Sequence, residues 1–333
     1  MQVWHGLGQV PSDVTTSVVT IGNFDGVHRG HRGVLAHVVA RARENGALAV
    51  AMTFDPHPAR VHRPQDAPEE LTGLEDKLAL LAETGLDAVL VVHYTADFAG
   101  QDPEHFVRRY LVDALHPVVV VIGRDVRFGA GNTGDRGTMA ALGGALGFDV
   151  DVVEDVVPDA SERRWSSTWA RELLAAGDVA GLALVLGRLH RMRGAVVHGE
   201  ARGRALGFPT ANLDPAASGA VPADGVYAGW LLRDGGRGDR LPAAISVGTN
   251  PTFDGLVRQV EAHVLGRTDL DLYGEEVVVE FAVRLRPTLR FDGVDPLVEQ
   301  MREDVADAAR ALGVPAPAPL ATVDVDPGTP HPS

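Results

Sequence analysis

Cysteine is absent from the 333-residue sequence, which excludes disulfides, thiolate nucleophiles and every zinc site built on sulfur. The opening segment MQVWHGLGQV lacks the basic start and apolar stretch of a secretory signal. No apolar run approaches the ~20 residues that span a bilayer. These absences predict a soluble protein without a membrane partner, in a reducing, cytoplasmic setting. Positive charge is also in deficit, with 30 Lys and Arg against 45 Asp and Glu and a formal net charge of −15. Binding a polyanion requires a basic surface that displaces its counterions, so no nucleic-acid partner is expected. An anionic small ligand would instead need arginines gathered locally. Nothing in the composition fixes an oligomeric state.

What is present is a chain of two textures. Up to about residue 155, apolar runs alternate with helical patterns. SVVTIG, LAVAMTF, AVLVV, VVVVI and DVDVVE carry consecutive apolar β-branched residues, as strands buried on both faces do. GHRGVLAHVVARAREN, LEDKLALLAETG, PEHFVRRYLVDAL and TMAALGGALG carry apolar residues at helical spacing. The alternation predicts an α/β layered, Rossmann-like domain with a parallel sheet and a ligand site at the carboxyl ends of its strands. After Gly187, short alternating segments such as GVYAGWLLR and EEVVVEFAVRLR, separated by turn residues, predict an antiparallel sheet or a small antiparallel β-barrel. FDGVDPLVEQMREDVADAARALG reads as a closing amphipathic helix, and the Pro-rich VPAPAPLATVDVDPGTPHPS as a disordered tail. The expected division is 1–186, 187–313 and a tail at 314–333.

The stretch IGNFDGVHRGH, Ile21 to His31, joins a predicted strand to a predicted helix. Glycines at 22, 26 and 30 allow close backbone approach, and the helix start offers unpaired N–H groups and a positive dipole end to an anion. His28 and His31 flank that turn and are suited to donate to phosphate oxygens. A metal site would need a third ligand, for which Asp55 or His57 in TFDPHP is the local offer. A solvated turn with incidental histidines is the remaining reading. Ser167 and Thr168 in WSSTWAR equally suit an ordinary helix N-cap, and Glu261 in VEAHV lies on the face opposite Val260, Ala262 and Val264, toward either solvent or a site.

GNFDGVHRGH, TFDPHP and WSSTWAR, followed in order by GRALGFPTANL, DGVYAG, SVGTNPTF, VEAHVL and RLRPTLRF, resemble the prokaryotic bifunctional riboflavin kinase and FMN adenylyltransferase (FAD synthetase) family. The resemblance runs from about Val18 to about Ala308. It implies an enzyme with ATP, riboflavin and FMN as substrates. In the N-terminal domain, AMP would pass from ATP to FMN. His28 and His31 would act on the triphosphate, within a phosphate site formed with Gly22, Asn23, Phe24, Asp25 and Gly30. Arg164, Ser167, Thr168 and Arg171 would bind the leaving phosphates, and Asp55, His57 and Asp125 would border the nucleotide or flavin pocket. In the C-terminal domain, Glu261 would be the general base, Thr210 and Asn212 would hold Mg2+, and Gly199, Arg202, Gly203 and Arg204 would fold over ATP phosphates.

Two residues depart from the family pattern. Asp125 replaces the usual asparagine, and its carboxylate would repel phosphates unless magnesium or an arginine intervenes. Trp169 replaces a frequent arginine. A kinase with a weak or inactive adenylyltransferase domain, and a flavin-binding regulator without turnover, are the alternatives.

Overall fold

The computed structural model describes residues 1–154, 163–199, 206–252 and 255–317, without the side chains of 250–257. The chain forms two compact units, Met1–Ala170 and Arg171–Ser333. Among the described residues no helix is long and apolar enough to cross a membrane.

The first unit is built on a six-stranded sheet of order β1-β4-β3-β2-β5-β6. Its strands are β1 (Gln2–His5), β2 (Ser17–Ile21), β3 (Leu48–Asp55), β4 (Ala88–His93), β5 (Pro117–Gly123) and β6 (Asp149–Val153). Every pairing is parallel, and the five runs read as strands in the sequence are five of the six. β1 was not expected: QVWH has four residues and one large apolar side chain, too short for a pattern, and gains its place by pairing Val3 with Val89 at the sheet edge. Both faces of the central strands are covered. Val19, Val50, Met52 and Leu90 belong to one core cluster and Val18, Ala49, Ala51 and Val89 to the other, which explains why these strands show no polar alternation. The predicted helix PEHFVRRYLVDAL forms with a π-helical middle, Val107–Val112.

The strand order reverses beside β2. The chain moves from β2 to β3 to β4 on one side, then crosses to β5 on the other. The crevice between the carboxyl ends of β2 and β5 is therefore the topological switch point, where open α/β sheets bind ligands. IGNFDGVHRGH leaves β2 there, and Gly123-Arg124-Asp125 leaves β5.

At the opposite end of the sheet, Arg43 donates to both Asp87 carboxylate oxygens at 2.7 and 3.1 Å, and the Ala49 N–H donates to one of them at 2.8 Å. The Arg43 hydrogen bonds hold the Asp87 carboxyl below its ordinary range. The stabilisation is thus present above the unfolded carboxylate's pKa and is lost as pH falls through the lowered folded value. Asp87→Asn is expected to destabilise the protein by about 1 kcal/mol at neutral pH and not at all in strong acid, as read from denaturant titrations at the two pH values.

The second unit is a closed barrel of order β10-β11-β8-β7-β12-β9. Its strands are β7 (His190–Val197), β8 (Ala211–Leu213), β9 (Gly225–Leu232), β10 (Arg240–Thr252), β11 (Gly255–Val264) and β12 (Glu276–Arg286). All pairings are antiparallel. Met192, Leu213, Tyr227, Ile245 and Phe281 are buried, and the Tyr227 and Phe281 rings meet edge to face at 5.5 Å. The predicted closing helix, Val294–Leu312, packs Ala308 and Ala309 against Ala228 and Leu265, and Arg286 fastens it with two hydrogen bonds of 2.6 and 2.7 Å to Asp304. A Cβ on Gly229 would fall on the Glu280 carbonyl oxygen of the neighbouring strand. Gly229→Ala is therefore expected to cost about 3 kcal/mol, measured by chemical denaturation.

Candidate functional site

In the first unit the turn after β2 is held from three sides. Gly22 N–H donates to the Met52 carbonyl at 3.0 Å, the Thr53 hydroxyl to the Asn23 carbonyl at 3.2 Å, and the Ser167 hydroxyl to the Asp25 carbonyl at 2.9 Å. Thr72 binds the same turn reciprocally: its N–H donates to the Asp25 carboxylate, and its hydroxyl accepts from Gly26 N–H, both at 3.2 Å. Phe24, at φ 48°, adopts a left-handed backbone and turns its ring inward. That ring is buried beneath Gly22, where an added Cβ would stand 3.0 Å from it. Gly22 is therefore required by packing as well as by any ligand.

The two histidines meet as the spacing suggested. His28 is the N-cap of the helix Arg29–Asn45, its Nδ1 accepting from His31 N–H at 3.3 Å. The imidazoles stack at 3.6 Å, with Phe24 edge-on to His31 at 5.3 Å. Burial, then the charges of His28 and Lys77, hold the His31 imidazole well below its ordinary range, so at neutral pH it is uncharged. Its Nδ1 is enclosed without a hydrogen-bond partner. Gly30 is confined by the His28 ring and the Trp165 Cβ, each 3.2 Å from where its own Cβ would lie. A larger residue would part the turn from the segment leading to Ser167.

Asp125 does not confront this turn as a bare carboxylate. The Arg164 guanidinium donates to it at 2.5 Å and holds its carboxyl below the ordinary range, so an arginine intervenes. Trp169 stacks on Trp165 at 5.4 Å, with Arg163 over the first indole at 5.4 Å and Arg29 over the second at 5.8 Å. The position without the frequent arginine thus has guanidinium groups nearby, held on aromatic faces. Thr168 is exposed in the first turn of the helix Ser167–Ala176, and Arg171 on the same helix opens the second unit. His57 caps the short helix Pro58–His62 by accepting from Ala59 N–H at 3.1 Å. Asp55 ends β3 beside Glu70, whose carboxyl is pushed up chiefly by burial. Among the described residues no group of three His, Cys, Asp or Glu is placed to hold a metal ion.

In the second unit, PTAN and VEAHV come together by strand register. β8 pairs with β11 so that Asn212 faces Glu261. The Thr210 hydroxyl lies 3.3 Å from the Glu261 carboxylate and 3.4 Å from the Asn212 amide. The register therefore sets Glu261 beside Thr210 and Asn212, on the face of β11 opposite Ala262 and Val264. His263 is buried, its Nδ1 2.9 Å from the Pro209 carbonyl and its ring edge-on to Phe208. Burial holds the His263 imidazole below its ordinary range, so the neutral ring donates to Pro209 and steadies the residue before Thr210. Gly199, Thr210, Asn212 and Tyr273 line a cavity at this end of the barrel, to which β11 contributes Ala262 and Val264. Arg202, Gly203 and Arg204 lie outside the described residues.

A Rossmann-type unit with a paired-histidine turn at its switch point, followed by a six-stranded barrel carrying a threonine, asparagine and glutamate cluster, defines a two-domain class of protein. The FAD synthetase family model matches residues 10–169 and the riboflavin kinase model residues 186–312. The bifunctional riboflavin kinase/FMN adenylyltransferase of Escherichia coli strain K12 is 37% identical over 315 residues, covering 94% of this chain and 98% of that protein. The Bacillus subtilis protein of the same name is 32% identical over 314 residues, covering 93% and 97%. A crystal structure described as a macrolide-efflux protein from Streptococcus pneumoniae shares the fold, with a TM-score of 0.80 and 29% identity over 92% of this chain and 98% of that one. The chain belongs to the bifunctional riboflavin kinase/FMN adenylyltransferase family.

Proposed function

We propose that the barrel phosphorylates riboflavin with ATP to give FMN, and that the α/β unit transfers AMP from a second ATP to FMN, giving FAD and pyrophosphate. The observation that carries this reading is the presence, in one chain that matches both family models, of the stacked His28–His31 pair and the Thr210–Asn212–Glu261 cluster. The functional division is proposed at 186/187, with the helices Ser167–Ala176 and Val179–Leu186 completing the adenylyltransferase sequence. Small-molecule substrates suffice for both reactions, and a cytoplasmic location suits them.

In adenylyl transfer, an FMN phosphate oxygen attacks the α-phosphorus of ATP and pyrophosphate leaves with the bonding electrons. Little covalent chemistry falls to the protein, which must align the groups and neutralise charge. His28 and His31 supply donors at the α-phosphate, while the backbone of Gly22, Asn23, Asp25 and Gly30 allows close approach. Ser167, Thr168 and Arg171 receive the departing phosphates. Arg164 is shared with Asp125, which keeps that carboxylate from opposing the nucleotide.

In the kinase reaction, Glu261 takes the proton from the riboflavin 5′-hydroxyl as it attacks the γ-phosphorus, and ADP leaves with the electrons of the broken bond to the β,γ-bridging oxygen. Thr210 and Asn212 offer neutral oxygen atoms beside that carboxylate. This hard donor set fits Mg2+, which commonly keeps waters and relies on substrate phosphates for part of its shell. The ion would neutralise ATP phosphate charge; orientation of the hydroxyl and removal of its proton belong to the protein.

Incubating the purified chain with ATP, magnesium and riboflavin is expected to yield FMN and then FAD on chromatographic analysis. FMN without FAD would sink the adenylyltransferase half. A further test concerns Gly199, where a Cβ would stand 2.6 Å from the Asn212 carboxamide. Gly199→Ala is expected to slow FMN formation by about 10- to 100-fold through displacement of Asn212. FAD formation from supplied FMN should remain unchanged.

A further inference from the structure

The sequence contains 30 Lys and Arg residues, and Lys77 is its only lysine. That lysine is also one of the most deeply buried charged side chains described, 1% exposed on the helix Leu74–Ala82 of the first unit. Thirty basic positions with a single lysine show that arginine serves wherever a cation meets solvent. Position 77 is where a compact, three-donor point charge is kept instead of a planar fork.

The surroundings place this ammonium under the histidine turn. Gly73 caps its helix, and the preceding Thr72 makes the reciprocal bonds to Asp25 and Gly26, fastening the lysine's backbone to the turn between β2 and His28. Its charge acts on His31. The Glu70 carboxylate forms a long ion pair with it at 4.0 Å, beyond hydrogen-bond reach, and is shared with Arg60 at 3.1 Å. No hydrogen bond links the ammonium to any other described residue. A buried cation so placed is costly unless an anion completes it, and the carboxyl ends of β2 and β3, where it sits, are where this fold receives phosphate.

We propose that Lys77 is a further substrate-contacting residue of adenylyl transfer, donating from its ammonium to a phosphate oxygen of the bound ATP or of FMN. This rests on the adenylyltransferase reading above. The lysine exchanges no proton: the bond from α-phosphorus to the FMN oxygen forms, the bond to the β-phosphate oxygen breaks with its electron pair, and the fixed positive charge stabilises the oxygens between. Lys77→Met preserves volume and removes a buried charge, so it should not lower thermal stability, whereas a purely structural lysine would be missed by the fold.

Because the lysine is unique, growth on lysine labelled with 13C at Cε gives a single side-chain signal from the full-length chain. This signal is expected to move on addition of FMN or of the α,β-methylene analogue of ATP, whichever phosphate the ammonium meets, and to stay in place with phosphate-free riboflavin. Lys77→Met is expected to lower FAD formation from FMN by about 100-fold, with FMN formation from riboflavin within twofold of the parent and no rescue by Lys77→Arg. A signal unmoved by either phosphate ligand while both bind, or full FAD formation by Lys77→Met, overturns the proposal alone. A parent protein that binds neither ligand and makes no FAD overturns the adenylyltransferase reading with it. The labelled parent decides the question even if the variants fail to fold.

Discussion

Replacing His28 with asparagine is expected to reduce FAD formation from FMN and ATP by about 100- to 1,000-fold, the usual cost of losing a preorganised donor at developing charge. Asparagine is chosen over alanine because His28 has two tasks. Its Nδ1 caps the helix Arg29–Asn45 by accepting from His31 N–H, and loss of such a cap costs about 1 kcal/mol. The asparagine oxygen can take over the cap, but the carboxamide cannot reproduce the imidazole's reach or its 3.6 Å stack on His31. Riboflavin phosphorylation should proceed at the parent rate, because the barrel and its cluster belong to a separate compact unit. The check is paired initial-rate measurement of the two half-reactions, with unfolding midpoints to confirm that the cap survives.

The second large effect is expected in the barrel. Glu261→Gln should lower riboflavin phosphorylation by about 100- to 10,000-fold, as removal of a general base does, and leave FAD formation from supplied FMN intact. Glutamine keeps the volume and the contact with Thr210, 3.3 Å away in the parent, so folding is not at issue. Asn212→Ala should lower the same half-reaction through a different route, loss of an oxygen donor opposite Glu261. Its defect should soften as magnesium is raised, whereas the Glu261→Gln defect should not. Rates over a magnesium series separate the two roles.

The sequence showed much of this architecture for identifiable reasons. Strands buried on both faces leave an unbroken apolar run, so β2 to β5 were visible, while β1 and β8 have four and three residues and are defined by their partners. The histidine turn was legible because glycines, a strand end and a helix start coincide within eleven residues. What Glu261 meets was not, because alternation assigns residues to faces without saying what each face meets; its pairing with Asn212 is visible only in the fold. Thr72 carried no signal, since its two bonds to Asp25 and Gly26 span nearly fifty residues of chain. The partner of Asp125 was equally hidden, for Arg164 lies 39 positions away. Lys77 did carry one, in its singularity, yet a lone lysine in a helical pattern resembles any solvated face until its burial is seen.

The central claim is that the chain carries the two half-reactions at separate sites, as proposed above. The most direct measurement mixes the His28→Asn and Glu261→Gln proteins with ATP, magnesium and riboflavin and follows FAD over time. Each variant alone should make little FAD, the first stopping at FMN and the second failing to make it. The mixture should accumulate FAD after a lag, as FMN released by one protein is adenylylated by the other. A mixture that stays without FAD although the Glu261→Gln protein adenylylates supplied FMN, or a variant that loses both half-reactions while folded, would contradict the account.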